Sequence, residues 1–122
     1  MRNAKKITLL TTLCIVALSA FVWSAPKTMT IQGYVLDSAC AFTKNLGKPV
    51  SAACAVQCAK AGSPLIILAS DGTVYWPISD STPATGQNSR LMEFAGKRVK
   101  VTGKVYERGG SRAVVIGQIE PY

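Results

Sequence analysis

Hydrophobic and polar residues alternate through 29–37, with Met29, Ile31, Gly33 and Val35 on one side and Thr30, Gln32, Tyr34 and Leu36 on the other. A period of two is that of a β-strand, and Gly33 inside it predicts a bulge or sharp bend. The alternation stops at Ser38, and Asn45, Gly47 and Pro49 mark 38–50 as a loop. Ser51 then offers an N-cap to the alanine-rich run 52–61, and Gly62 stands where a helix end favours a left-handed residue, so a short helix is expected. Two β-rich runs, 64–69 and 73–78, flank Ser70-Asp71-Gly72, and Asp-Gly between such runs predicts a hairpin. Pro77 confines the second of them to an edge or an end.

After a polar loop over 79–88, residues 89–95 read as a second short helix presenting Leu91, Met92 and Phe94 and stopped by Gly96. Residues 97–108 alternate again. Val99, Val101, Gly103 and Val105 face one way, while Arg98, Lys100, Thr102, Lys104, Tyr106 and Arg108 face the other. Gly109-Gly110 turns the chain into a last strand over 112–119. Five strands, with a cysteine-bearing helix after the first and a short helix between the third and fourth, predict a mainly β fold, a small five-stranded OB-like Greek-key barrel. Tyr75 and Trp76 are neighbours on the third strand and face opposite ways, so one enters the core and the other is free to line a ligand surface.

The N-terminus changes the picture of the whole chain. Arg2, Lys5 and Lys6 precede an apolar run over 7–23 that ends at the small residue Ser24, the pattern of a secretory signal peptide. We expect cleavage after Ser24, which leaves one domain over 25–122. The alternative is a membrane anchor formed by residues 7–23, a run diluted by Thr8, Thr11, Thr12 and Ser19 and shorter than the roughly 20 residues a spanning helix needs. Without the leader's three cations the formal charge falls from +8 to +5, concentrated on the 97–112 hairpin. The expected location is periplasmic or extracellular.

The chain has no histidine, which excludes Ser-His and Cys-His catalysis and imidazole metal sites. None of its six acids forms an evident carboxylate pair: Asp37 lies three residues before Cys40, Asp71 belongs to the hairpin turn, and Asp80 sits in the long loop. No catalytic constellation is present, so a binding or structural module is expected rather than an enzyme. Chemistry is left to cysteines. Cys14 falls within the leader, where Leu13 occupies the position a lipoprotein signal reserves for a small residue. Cys40, Cys54 and Cys58 remain.

Cys54 and Cys58 stand four apart, so both thiols project from one helical face, and Cys40 can meet either of them from the end of the first strand. The first expectation is one disulfide from Cys40 to Cys58 or Cys54, worth on the order of 3 kcal/mol for a loop of about 15 residues, in a domain whose core supplies little more. The second is a soft-metal site of three thiolates, suited to Cu(I) or, with a carboxylate or water, to Zn. The third is thiol redox exchange, with the Cys54 thiolate favoured by the helix N-terminus and Lys60 close by.

Two resemblances bear on these expectations. Gly33-x-Val35-x-Asp37-x-x-Cys40, then Cys54-x-x-x-Cys58-Ala-Lys-x-Gly62-x-Pro64 and Asp-Gly-x-Val-Tyr, resembles a group of small exported bacterial OB-like proteins of undetermined function. That likeness implies the fold and no activity. The C-x-x-x-C element is also similar to the copper motif of exported copper chaperones of the cytochrome oxidase assembly type, although those have a thioredoxin-like fold and a histidine ligand, neither of which is expected here.

Arg98, Lys100, Lys104, Tyr106, Arg108 and Arg112 form a basic, aromatic-bearing strand face. Such a face on an OB-like fold suits single-stranded nucleic acid, but the modest charge and the export leader argue against it. The commoner explanation is a charged outer face that discourages edge-to-edge pairing. An anionic partner, whether a lipid surface, a cell-wall polymer or an acidic protein, also fits.

Overall fold

The structure is a computed structural model, and it describes residues 25–44 and 51–122. The expected leader and the C-terminal part of the expected loop after the first strand, 45–50, lie outside the described residues. Among the described residues no helix is long and apolar enough to cross a membrane.

Five strands close into a barrel: β1 (Lys27–Asp37), β2 (Leu65–Ala69), β3 (Val74–Pro77), β4 (Arg98–Arg108) and β5 (Ser111–Pro121), in the spatial order β1-β2-β3-β5-β4. β1 is shared between two antiparallel neighbours, β4 along most of its length and β2 at its C-terminal half, and Gly33 pairs with Val99 on one side and Ala69 on the other. β3 runs parallel to β5 and closes the cylinder. This is the OB-like Greek-key barrel expected from the strand order. Pro77, which cannot donate to a ladder, is the last residue of β3, as its chemistry requires.

The alternation of β4 becomes inside and outside. Val99, Val101, Gly103 and Val105 are buried, and they share the barrel core with Ile31, Val35, Leu65, Ile67, Tyr75, Val114 and Ile116. The β4–β5 register slips between Thr102 and Gly103, and a Cβ at Gly103 would collide with the Val115 carbonyl oxygen. A bare α-carbon lets the strand bend there.

The stretch after β1, expected as loop, begins with a helix, α1 (Ser38–Thr43). Asp37 is its N-cap: the Cys40 amide donates to Asp37 Oδ2 at 3.0 Å, and buried Ala41 packs on Leu36, Ile66 and Leu68 in a second apolar cluster outside the barrel. Polar Ser38 and Thr43 hid a helix that is held by its cap and its one buried alanine. Further on, the expected helix over 89–95 is one α-helical turn, α3 (Asn88–Leu91), followed by a 3-10 turn, Met92–Phe94; Leu91 is fully buried at their junction.

The helix expected over 52–61 is α2 (Ala52–Lys60), capped by Ser51, whose Oγ accepts from the Cys54 amide at 3.1 Å. Its buried face is Ala55 and Ala59, small residues that let the helix lie close on the barrel. Gly96 completes that approach: it sits at φ +75°, and a Cβ there would strike the Ala52 backbone. At its other end Asn88 joins three elements. Its Nδ2 donates to the Ala59 and Ser63 carbonyls, and its Oδ1 accepts from the Leu65 amide at 2.8 Å.

Candidate metal centre

Because α2 buries residues 55 and 59 against the barrel, residues 54 and 58 lie on the neighbouring face, one turn apart, and both are directed to the side where α1 starts. α1 carries Cys40. The result is convergence: Cys40 Sγ is 3.3 Å from Cys54 Sγ and 3.8 Å from Cys58 Sγ. All three cysteines are partly buried and stand as separate thiols. The expectation that Cys40 meets both helical thiols is therefore met in space, while the expected disulfide is not formed in this structure.

A fourth group, unassigned in the sequence reading, completes the cluster. The Asp37 carboxylate and the three sulfurs place one donor atom each within 4.8 Å of one another. Asp37 is fully buried. Its Oδ2 accepts from the Cys40 amide and from Ser63 Oγ, the latter at 3.2 Å, whereas its buried Oδ1 has no hydrogen-bond partner. A buried carboxylate oxygen without a donor is costly, and this carboxylate shares its corner with three thiols. The signal for Asp37 was present in the sequence, since Asp three residues before Cys40 at the end of a strand is the spacing of an N-cap.

The electrostatics of the corner disfavour thiolates unless a cation is supplied. The Cys40 thiol is pushed up to about 12 from an ordinary 9.0, first by its hydrogen bond with Cys54 and then by the Asp37 carboxylate. Cys58 is also raised: its hydrogen bond with Cys40 pulls it down, but desolvation and the negative charge of Asp37 outweigh that pull. A metal ion reverses this logic, because coordination deprotonates a thiol outright. Tetrahedral zinc with Zn–S of about 2.3 Å places its sulfurs about 3.8 Å apart, which is the Cys40–Cys58 separation, while the Cys40 and Cys54 sulfurs at 3.3 Å would have to part to admit the ion.

The basic residues do not converge in this way. Lys100 pairs with Glu120 across the β4–β5 ladder, and Arg112 pairs with Glu107 at 2.9 Å while donating to Thr73 Oγ1 at 3.2 Å. The Arg98 guanidinium lies 4.9 Å from the Tyr122 ring centre and 5.8 Å from that of Tyr34. Lys104 and Arg108 are exposed and Tyr106 is half-buried, spaced along the outer face. Of the adjacent aromatics, Tyr75 is buried in the core. Trp76 faces outward, stacks on the exposed Phe42 with ring centres 6.3 Å apart, and lines an open groove of about 770 Å³ beside Glu107 and Arg112.

No family model, curated protein or solved structure matches this chain. The site is therefore read from its own geometry.

Proposed function

We propose that this protein is a metal-binding module that holds one thiophilic ion, zinc or Cu(I), at Cys40, Cys54 and Cys58, with Asp37 beside them. The single observation that carries the reading is the meeting of three sulfurs, from two helices, with a buried carboxylate, one of whose oxygens has no hydrogen-bond partner. A cation held there offsets much of the negative charge of the thiolates and the carboxylate and ties α1 and α2 together. In a domain this small, binding energy of that kind is folding energy. The role is one of binding rather than catalysis, and the leader-like pattern of residues 1–24 supports an exported location.

Metal titration against a competing chelator tests the reading on the full chain. One equivalent of zinc or Cu(I) is expected to bind, and Cys54→Ser is expected to abolish stoichiometric uptake. Equal uptake by the wild type and Cys54→Ser would contradict the proposal.

A second reading has its own support. Cys40 and Cys54 sulfurs at 3.3 Å are near enough that exchange with an external disulfide, which takes up their two hydrogens as it is reduced to thiols, would join them at the roughly 2.05 Å of a disulfide after a small rotation. That bridge consumes two of the three sulfurs, so bridge and metal exclude one another. Intact mass before and after reduction separates them by two hydrogens.

A further inference from the structure

We infer that Asp37 makes the site selective for a divalent ion, zinc, over Cu(I). The inference rests on the proposal above that the cysteines hold a metal, and it adds which metal and which residue decides.

Three thiolates alone do not discriminate, since both ions favour sulfur. Cu(I) is satisfied by a trigonal set of three sulfurs, and a carboxylate oxygen is a poor ligand for so soft an ion. Zinc takes four ligands in a tetrahedron and accepts cysteine sulfur and aspartate oxygen in the same site. Asp37 supplies the fourth, and its surroundings hold it to that task. Oδ2 is fixed by two donors, the Cys40 amide and Ser63 Oγ, while Oδ1 is buried and unpartnered on a carboxylate that belongs to the cluster. The carboxylate cannot turn Oδ1 to water without giving up both bonds and uncapping α1.

Charge adds to geometry. A divalent ion on three thiolates and one carboxylate leaves two negative charges and covers the orphan oxygen. Cu(I) on the three thiolates leaves Asp37 unligated beside an already anionic complex, three negative charges in all, with Oδ1 still unsatisfied. Burial of an uncompensated charge is the more costly outcome. Ser63 is a positioning residue in this arrangement, because it orients the carboxylate without facing the metal.

The test is a pair of chelator-competition titrations, one with zinc and one with Cu(I), on the full chain as wild type, Asp37→Asn and Ser63→Ala. Asparagine is itself a good N-cap, so Asp37→Asn retains the start of α1 while losing the anionic oxygen. Asp37→Asn is expected to weaken zinc by about 100-fold or more and Ser63→Ala by about tenfold, since outer partners alone are worth 10–100-fold. Cu(I) affinity should be unchanged in both. With Co(II) as a spectroscopic stand-in for zinc, Asp37→Asn should shift the ligand-field bands as an oxygen leaves the tetrahedron.

Equal losses for zinc and Cu(I), or no loss of zinc in Asp37→Asn, would overturn the inference and leave Asp37 as a helix cap. A wild type that takes Cu(I) but not zinc overturns it as well, while preserving the metal reading. A wild type that takes neither ion overturns both.

Discussion

The cysteine corner and the basic β4–β5 face both stand out as candidate chemistry in the sequence, and the fold treats them in opposite ways. On the basic face the groups are spread along a strand, and three of the cations already have partners: Lys100 has Glu120, Arg112 has Glu107, and Arg98 has two tyrosine rings. At the cysteine corner, residues 37, 40, 54 and 58 come from a strand end and two helices to one point, and the carboxylate among them has a buried oxygen without a partner. Charges satisfied by their own neighbours describe a solvated surface. Donors that converge with an unmet requirement describe a site.

The largest effect expected from this contrast is metal removal. An ion present at about 1,000 times its Kd stabilises the fold by about 4.1 kcal/mol. In a domain of 60–100 residues each kcal/mol moves Tm by roughly 4–8 °C, so a strong chelator should lower Tm by roughly 15–30 °C. Differential scanning calorimetry with and without zinc checks this. Replacing Lys100 and Arg112 together should leave the zinc-dependent part of that shift intact; if it collapses, the two regions are not separable as described.

Next in size is Asn88→Ala. It strands the Leu65 amide and the Ala59 and Ser63 carbonyls at the junction that presents α2, at about 1–3 kcal/mol by denaturant unfolding. Because α2 carries two of the thiols, metal affinity should fall with stability.

Glu120→Gln, on the basic face, should change stability little, and that little should vanish at high salt, since exposed pairs are weak and screened. A loss that survives high salt would make the face more than a solvated surface.

The smallest expected effect is on pH dependence of the metal-free protein. The Cys40 thiol is raised in the fold, so its protonated form is favoured there, and that contribution is present below the ordinary thiol value. It is lost as pH rises through the folded value. Metal-free stability should therefore decline from about pH 9 toward about 12, and Cys40→Ser should flatten the decline. The zinc form should lack it, its thiols being already ionised.

Much of this was legible in the chain. The strict period of two in 97–108, the Asp71-Gly72 turn and the Ser51 cap led to the barrel and to α2 because each is a local rule that the fold obeys. α1 was not legible as a helix, since Ser38-Ala-Cys-Ala-Phe-Thr43 has no amphipathic stripe and is held by contacts made from elsewhere: Asp37 at its cap and Ala41 in a cluster with Leu36, Ile66 and Leu68. Missing that helix also hid Asp37. The Asp37–Cys40 spacing signals a helix cap but not a ligand, and only the closing of the barrel brings Ser63 and the α2 thiols to the carboxylate.

The most direct test of the central claim is thiol alkylation under native conditions, mapped by peptide mass on the full chain with and without one equivalent of zinc. The account predicts that Cys40, Cys54 and Cys58 react in the metal-free protein and are protected together by a single bound ion, with Cys14, where the leader is retained, unaffected as an internal control. Unchanged labelling of the three cysteines in the presence of zinc would contradict it.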